Sequence, residues 1–342
     1  MSAPKDAVIA PGSTILITGA NGYIGSHVAD QLLQRGYLVR GTVRDAAKNA
    51  WLTELFDKEY GSGKFELVEV KELTKENLAS VMKGCAGVAN VASDVSFGPD
   101  PNVVVTGAVN LIKGALEAAA SEPSIQRFVQ TSSSSAVAMF ESNKRFDITS
   151  DTWNTKAEAE AWKPPPYTPE RGIFVYAASK TQQEREMWNF VKERKPHFVA
   201  NSVLPDFNVG KILNVEKQGY PSSIAMLKAV FEGNTEMAFM LPPQHEVDVQ
   251  DTARLHVAAL LHPGVKNERV FAYAEPKNNT NTIQLLRELY PERTFPDPPE
   301  NEGEDWSNVT AKPRAEELLR WTGVDGWTSY RDSMKLVTDT LL

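Results

Sequence analysis

Cysteine is almost absent from this sequence: Cys85 is the single cysteine among 342 residues. One thiol cannot form a disulfide within the chain, so the fold depends on its apolar core, and a reducing compartment such as the cytoplasm is expected. Cys85 lies between Gly84 and Ala86, a small-residue context that favours a buried filler over a nucleophile. The five histidines show no ligand spacing, so no metal site is predicted.

Blocks of positive charge and long apolar runs are also missing. The formal net charge is −8, with lysine and arginine dispersed along the chain, which argues against nucleic acid or an anionic membrane as a partner. No apolar run is expected to approach the ~18–20 residues of a membrane span. Residues 1–12 include Lys5 and Asp6 in place of a signal-peptide core. These absences predict a cytoplasmic protein. A monomer or a homodimer is expected.

What the sequence does contain is a regular alternation of short apolar runs with helical patterns. The apolar runs predict strands at residues 13–18, 37–43, 65–70, 87–92, 127–133 and 198–204. Helical patterns between them cover residues 27–35, 51–60, 78–83, 103–120 and 175–195. This alternation predicts an α/β fold with a doubly wound, parallel Rossmann sheet. Residues 140–172 interrupt it and are predicted to form a long functional or surface loop.

Three glycines follow the first predicted strand, at Gly19, Gly22 and Gly25. Glycine permits a tight turn and the close approach of a pyrophosphate, and the next helix offers free N–H groups and the positive end of its dipole. The strand–loop–helix context favours a dinucleotide phosphate site over a turn without a ligand. The predicted contacts are Gly19, Asn21, Gly22, Tyr23, Ile24 and Gly25.

Two arginines at the end of the second predicted strand favour NADPH over NADH. An acid at this position binds the ribose 2′-hydroxyl of NAD, whereas cations bind the 2′-phosphate of NADP. The sequence has Arg40 and Arg44, with Lys48 further on, and the nearest acid, Asp45, follows Arg44. Cations form charge-assisted hydrogen bonds with a phosphate. A solvated surface arginine is the alternative interpretation, and it suits Arg40 better than Arg44.

Ser133, Tyr176 and Lys180 are the predicted catalytic residues. Reduction of a carbonyl group needs a hydrogen bond to the developing oxyanion and a proton for that oxygen. A nearby ammonium stabilises the phenolate of a tyrosine and lowers its pKa from about 10, and Lys180 lies one helical turn after Tyr176. A Tyr/Lys pair alone is also typical of a helix surface. Residues 132–135 are consecutive serines, which leaves the choice of serine open.

Together these segments resemble the extended short-chain dehydrogenase/reductase family, in particular its dihydroflavonol reductase-like branch and the fungal NADPH-dependent aldehyde or carbonyl reductases. The matching segments extend over nearly the whole chain, at residues 18–25, 39–44, 83–88, 127–133, 175–181, 203–210 and 241–244. The resemblance implies that Ser133 is the catalytic serine and that Arg44 meets the 2′-phosphate. It also implies cofactor contacts from Lys48, Glu72, Leu73, Thr131, Tyr176, Lys180, Pro205 and Phe207.

The resemblance further implies a substrate pocket, for which ordinary core packing is the alternative. Its residues would be Phe97, Phe174, Phe207, Leu241 and Gln244. Three positions depart from the family pattern: Glu72 stands where aspartate is common, Asn90 where plant members often have histidine, and Asp206 places a carboxylate near the nicotinamide. We expect Asp206 to disfavour acidic substrates.

The sequence thus predicts an NADPH-dependent reductase that converts aldehydes or ketones, such as hydrophobic or aromatic carbonyl compounds and ketoesters, to alcohols. A sugar-nucleotide epimerase or dehydratase on the same scaffold is the first alternative, and a non-catalytic NADP-sensing regulator is the second. Residues 1–205 with 251–275 are predicted to form the NADP-binding Rossmann domain. Residues 206–250 with 276–342 are predicted to form a smaller C-terminal substrate-binding lobe.

Overall fold

The computed structural model describes residues 4–342, which form the following strands and helices. In chain order the strands are β1 (Thr14–Thr18), β2 (Leu38–Val43), β3 (Phe65–Glu69), β4 (Gly87–Asn90), β5 (Arg127–Thr131), β6 (Phe146–Ile148), β7 (Val199–Pro205), β8 (Phe207–Val209), β9 (Gln244–Asp248), β10 (Arg269–Ala272), β11 (Glu275–Lys277) and β12 (Ser307–Val309). The α-helices are α1 (Tyr23–Gln34), α2 (Trp51–Tyr60), α3 (Lys75–Met82), α4 (Pro101–Ser121), α5 (Thr155–Ala161), α6 (Gly172–Arg194), α7 (Val215–Gln218), α8 (Ser223–Phe231), α9 (Glu236–Phe239), α10 (Val249–Leu261), α11 (Asn279–Leu289), α12 (Lys312–Trp321) and α13 (Tyr330–Thr338).

The central sheet has seven parallel strands in the order β10-β7-β5-β4-β1-β2-β3. The predicted doubly wound, parallel α/β sheet is therefore confirmed. Strand order reverses between β1 and β4, and open α/β sheets bind their ligands beyond the carboxyl ends of the strands at such a point. The glycine loop follows β1 and the serine run follows β5, so both lie at this edge.

Helices cover both faces of the sheet because its strands are apolar on both sides. Successive side chains of a strand point to opposite faces. In β1, Ile15 and Ile17 enter a core shared with α1, α2, α10 and α12. Leu16, between them, enters the opposite core, which β1 shares with α3, α4 and α6. This near-continuous apolar pattern is what a strand buried on both faces requires.

The segment 140–172 is more ordered than the sequence predicted. It contains β6, which pairs in parallel with β12 from the C-terminal region, and α5, which begins at an Asn154 cap whose side chain accepts the Ala157 N–H. The prediction of a loop is wrong for these elements. Strand β6 has only three residues, Phe146–Ile148, which is too short to show the alternation of a strand in the sequence. Its pairing partner lies far along the chain, so local periodicity carries no signal for it.

The C-terminal residues form a second cluster beside the carboxyl edge of the main sheet. A three-stranded sheet, β11-β9-β8, lies there, with a core that includes Phe207, Ile224, Phe231 and Ile283. As expected for residues 251–274, β10 returns to the main sheet. Helix α12, which the predicted division assigns to the lobe, packs its Leu318 against the main core instead. The division into two domains remains a prediction.

Helix α4 differs from the expectation that no run is long and apolar enough to span a membrane. Over residues 4–342, the segment Pro101–Ala120 satisfies the length and composition of a span. Its charged residues are Lys113 and Glu117 alone, among many alanines and valines. In the fold, Leu116 and its neighbours on one side of α4 pack in the core shared with α3 and α6.

Candidate active site

The glycine loop forms a close turn between β1 and α1. Gly19 has a φ of +68°, which favours glycine, and a Cβ at Gly25 would lie 2.3 Å from the Gly19 carbonyl oxygen. Glycine at both positions is therefore required by backbone geometry. The N-cap residue of α1, Gly22, has no side chain to cap the first N–H groups of the helix. These free donors and the helix dipole provide a site for a phosphate group.

The other predicted residues of this loop contact the protein in different ways. The Tyr23 hydroxyl donates a hydrogen bond of 2.8 Å to the Gly210 carbonyl oxygen, and its ring packs in the C-terminal core. Ile24 is half-buried between the two cores. Asn21 is exposed, and its carbonyl oxygen accepts a bond from Gln218. The Tyr23 side chain thus anchors the loop to the C-terminal residues.

Arg40 and Arg44 have different surroundings, which the sequence could not distinguish. Arg40 pairs with Glu66 at 2.6 Å and donates to the carbonyl oxygens of Val81 and Lys83 at the end of α3. Arg44 is exposed directly after β2 and, among residues 4–342, has no hydrogen bond or ion pair. Its guanidinium is therefore free for an anionic ligand, whereas that of Arg40 is used by the fold.

The remaining residues of the predicted adenosine side lie at the same end of the sheet. Lys48 is exposed, with its Nζ 3.7 Å from the Asp45 carboxylate. Glu72 is exposed and Leu73 half-buried in the connection from β3 to α3, and the Glu72 carbonyl oxygen accepts a bond from Asn77. The Glu72 carboxylate has no hydrogen bond or ion pair within the described part of the chain, so it is open to solvent or to a ligand.

The side chains of three serines in the run after β5 have different partners. The Ser132 hydroxyl donates to Glu184 at 2.8 Å, and the Ser134 hydroxyl donates to Asp206 at 2.8 Å. The Ser133 hydroxyl accepts the Ser135 N–H at 3.1 Å and hydrogen-bonds with the side chain of Tyr176. The structure thus brings Ser133 alone of these serines to Tyr176, as the sequence interpretation favoured.

Helix α6 positions Tyr176 and Lys180 one turn apart on the side that faces β5. The Lys180 Nζ donates to the Thr131 carbonyl oxygen at 3.3 Å, and its side chain is buried. The Thr131 hydroxyl is bonded to His256 Nε2 at 2.7 Å, so the Thr131 side chain is not available to a cofactor. The three predicted catalytic residues therefore converge at the carboxyl end of β5.

The pKa values differ from the sequence expectation. Burial raises the pKa of Tyr176, and the hydrogen bond with Ser133 offsets part of this rise. Burial lowers the pKa of Lys180 to about 8, and the negative charge of Glu184 raises it in part. The expected lowering of the tyrosine pKa by Lys180 is therefore wrong for this structure, because burial raises this pKa and only the bond with Ser133 opposes the rise. A raised pKa keeps Tyr176 protonated near neutrality, as a proton donor requires.

Glu184 is a site residue that the sequence interpretation missed. It lies one turn after Lys180 and accepts bonds from Ser132 and Ser202, and it forms a buried ion pair with Arg269 at 2.9 Å. An acid four residues after Lys180 on the same helix face is the signal that could have found it. The pair joins α6 to β10, and the bond from Ser132 joins α6 to the end of β5.

Asp206 is buried and its two oxygens are both used. One accepts the bond from Ser134, and the other accepts the His245 N–H at 2.9 Å. His245 in turn bonds Asp305 at 2.8 Å through Nδ1. Burial raises the pKa of Asp206 to about 6. This carboxylate therefore holds the serine turn, and its predicted effect on acidic substrates remains a prediction.

The residues of the predicted substrate pocket fall into two groups. Phe207 and Leu241 line one small apolar pocket between β8, α8 and α11. Phe97 is 44% exposed and lies against Tyr176, with 4.7 Å between ring centroids. Phe174 is half-buried before Tyr176, and Gln244 is half-buried and bonds the Pro242 carbonyl oxygen. Pro205 ends β7 beside Asp206.

No metal centre accompanies these residues in the part of the chain that the structure describes. Across residues 4–342, no three His, Cys, Asp or Glu side chains are placed to hold a metal ion. Cys85 is buried, and burial raises its pKa to about 11, which makes its thiol a poor nucleophile.

The chain is similar to known proteins over nearly its whole length. Residues 15–272 match the NAD dependent epimerase/dehydratase family. The chain is 39% identical over 339 residues to the protein named NAD-dependent epimerase/dehydratase terH of Aspergillus terreus, with 98% of this chain and 99% of that protein covered. It is 38% identical over 338 residues to aldehyde reductase 2 of Sporidiobolus salmonicolor, with 98% of each chain covered.

The fold also has close counterparts among solved structures. The structure of Gre2 from Candida albicans in complex with NADPH superimposes with a TM-score of 0.80 at 22% sequence identity, covering 96% of this chain and 98% of that one. The match to the family covers most of the chain, and the relatives cover nearly all of it. This chain therefore belongs to the NAD dependent epimerase/dehydratase family.

Proposed function

We propose that this protein reduces aldehydes or ketones to alcohols with NADPH. The observation that carries the proposal is the convergence of Ser133, Tyr176 and Lys180 at the end of β5, beside the glycine loop. An oxyanion donor, a protonated tyrosine and a buried cation are the groups that carbonyl reduction requires. The relative named aldehyde reductase 2 supports the same activity.

The residues fit the dinucleotide. Gly19 and Gly25 permit the close turn that leads into α1, the first turn of α1 has free N–H groups, and the unpaired Arg44 suits the 2′-phosphate. The absence of an acid at the end of β2 itself favours NADPH over NADH. When bound, NADPH supplies the hydride to the carbonyl carbon.

Each catalytic side chain has a separate task. The Ser133 hydroxyl donates a hydrogen bond to the carbonyl oxygen of the substrate, which stabilises the negative charge that develops there. Tyr176, whose pKa burial raises, then gives its proton to that oxygen. The ammonium of Lys180, held by the Thr131 carbonyl oxygen, stabilises the phenolate that remains.

A sugar-nucleotide epimerase or dehydratase is the alternative within the family, and the name of the Aspergillus terreus relative fits it. Two observations favour the reductase. The pocket around Phe207 and Leu241 is largely apolar, whereas a diphosphate substrate needs several cations. The unpaired Arg44 suits NADPH, whereas an epimerase of this type uses NAD.

We also propose that the protein acts in the cytoplasm, as a monomer or homodimer.

Oxidation of NADPH, followed by its absorbance with aromatic aldehydes, ketones and ketoesters, tests the proposal. We expect turnover with the unaltered protein and a loss of about 100-fold or more in kcat for Tyr176→Phe, because general acid catalysis contributes about 10²–10⁴. NADPH binding by the variant, measured by fluorescence, should remain. Turnover that survives the substitution would refute the role of Tyr176. NADPH binding without any turnover would favour the other alternative, a non-catalytic NADP-sensing regulator.

A further inference from the structure

Lys277 is a buried cation in the apolar pocket that Phe207 and Leu241 line. It ends β11, is 6% exposed, and shares the pocket with Met226, Leu227 and Val230. Its Nζ lies 4.0 Å from the centroid of the Phe207 ring. A charged group is costly in such surroundings unless hydrogen bonds or an opposite charge compensate it. The donors of this ammonium therefore need acceptors.

The residues that the structure describes do not provide these acceptors. Within residues 4–342, the Lys277 ammonium has no hydrogen bond and no ion pair; its one described contact is the Phe207 ring. Burial lowers the pKa of Lys277 to about 8, so the amine is still largely protonated at neutral pH. An ammonium has three donors. The cation–π contact leaves all of them free for a ligand.

The three carboxyl groups that influence Lys277 are Asp206, Glu246 and Glu302. Both oxygens of Asp206 are used by Ser134 and His245, as described above. Both oxygens of Glu302 accept bonds at the start of α11, from Asn279 and Thr280.

Glu246 differs because its two buried oxygens have no hydrogen-bond partner in the described chain, and burial raises its pKa well above the usual value. Its carboxyl group accepts no hydrogen bond from the Lys277 ammonium and forms no ion pair with it within residues 4–342. None of the three carboxyl groups occupies the Lys277 donors.

The position of Lys277 connects this pocket to the catalytic residues. Phe207, under its ammonium, directly follows Asp206, and Asp206 holds Ser134, the neighbour of the catalytic Ser133. Across the small sheet, Lys277 is in register with Gln244. The charge of Asp206 also acts on Lys277, so the lysine lies near the carboxylate that holds the serine turn.

We propose that Lys277 determines substrate specificity by donating a hydrogen bond to a second oxygen of the substrate, remote from the carbonyl that is reduced. This inference rests on the proposed reductase activity and narrows its substrate class. The preferred substrates are keto compounds with an apolar body and a further oxygen acceptor, in an ester or a carboxylate. An ester and a carboxylate both offer an oxygen that accepts a hydrogen bond, and the experiment below distinguishes between them.

The test compares substrates in pairs that differ only at the second oxygen. Ethyl benzoylacetate is compared with pentyl phenyl ketone, and ethyl benzoylpropionate with hexyl phenyl ketone; in each ketone, methylene groups replace the ester group. Benzoylpropionate tests a carboxylate in place of the ester. The variant is Lys277→Met. Lys228→Met is the matched control, because Lys228 also lies over an aromatic ring, that of Tyr220, but does not line the pocket.

We expect the unaltered enzyme to prefer at least one oxygen-bearing substrate over its matched ketone in kcat/KM. This ratio should fall about 10- to 100-fold in Lys277→Met, the size of a lost hydrogen bond to a charged group, and stay unchanged in Lys228→Met. A fall for the esters alone identifies an ester as the ligand, and a fall for benzoylpropionate identifies a carboxylate. Because each ratio is taken within one variant, partial misfolding and inherent reactivity cancel.

An unchanged ratio in Lys277→Met, or no preference in the unaltered enzyme, would overturn the inference. Calorimetric binding of the same compounds to the protein with NADP⁺ gives the comparison without turnover. Equal affinities of the unaltered protein and Lys277→Met would overturn the inference whether or not any ketone is reduced. Failure to reduce any ketone, with a Lys277-dependent affinity retained, would overturn the proposed reductase alone.

Discussion

The different surroundings of Arg40 and Arg44 give a prediction in which each arginine is the control for the other. Arg44 has no partner among the described residues, whereas Arg40 joins Glu66 to the carbonyl oxygens of Val81 and Lys83. Substitution of each by alanine removes the same guanidinium from positions four residues apart. Arg44→Ala should change the choice of cofactor, and Arg40→Ala should change stability.

The magnitudes follow from what each side chain contacts. A hydrogen bond to a charged group contributes about 1.5–3 kcal/mol, but Arg44 is exposed, so solvent screening favours the lower end. Arg44→Ala should therefore reduce the preference for NADPH over NADH about 10-fold. Arg40→Ala loses an exposed ion pair of little value and its bonds at the end of α3. Its free energy of unfolding should fall by about 1 kcal/mol.

The assay is kcat/KM with NADPH and with NADH for the three proteins, at low and high salt, together with urea unfolding. The NADPH preference of the unaltered protein should weaken with salt, because exposed charges are screened, and Arg44→Ala should lose this dependence. A cofactor preference that is unchanged in Arg44→Ala, or reduced equally in Arg40→Ala, would refute the assignment of the 2′-phosphate to Arg44.

Two further predictions concern the loop and the buried histidine. Gly25→Ala should weaken NADPH binding at least 10-fold and lower the free energy of unfolding by about 1–3 kcal/mol, because its Cβ would lie 2.3 Å from the Gly19 carbonyl oxygen. Gly107→Ala is the control and should change neither quantity, because a Cβ there would have nothing within 4 Å. Fluorescence titration measures the binding and urea unfolding the stability, and equal behaviour of the two variants would contradict the close turn. Burial lowers the pKa of His256 to about 4, so the unfolded state binds more protons between pH 4 and 6.5 and the protein loses stability as the pH falls through this window. Between pH 7 and pH 5, the free energy of unfolding of His256→Gln, measured with urea, should therefore fall by about 2 kcal/mol less than that of the unaltered protein. An equal fall in the two proteins would show that the folded protein holds a charged His256.

The sequence determines the fold class because its signals are local. Apolar runs of strand length alternate with helical patterns, and each strand and helix is defined by its own residues. The glycine loop after β1 and the Tyr176/Lys180 pair on α6 are also local, since the turn and the helix face follow from spacing. The doubly wound sheet and the set of catalytic candidates could therefore be predicted from the chain alone.

Apart from the family resemblance, which implies Ser133, the local sequence could not assign the roles of the serines, because these roles depend on residues far along the chain. Ser132 faces Glu184, Ser133 faces Tyr176 and Ser134 faces Asp206. Four consecutive identical side chains carry no local difference, so the choice among them comes from the alternation of β5 and the elements packed against it. The order within residues 140–172 has the same origin, since β6 is paired by β12.

Burial and charge pairing likewise belong to the tertiary structure. The raised pKa of Tyr176 results from burial, and the difference between Arg40 and Arg44 results from the packing of α3 beside β2. Lys277 reaches the ring of Phe207, 70 residues earlier in the chain, through the pairing of β11, β9 and β8. The sequence by itself determined which chemical groups this protein has and on which elements they lie. Only the tertiary structure decided which of them are paired and which are free to bind a ligand, because desolvation and hydrogen bonding depend on neighbours that local sequence does not specify.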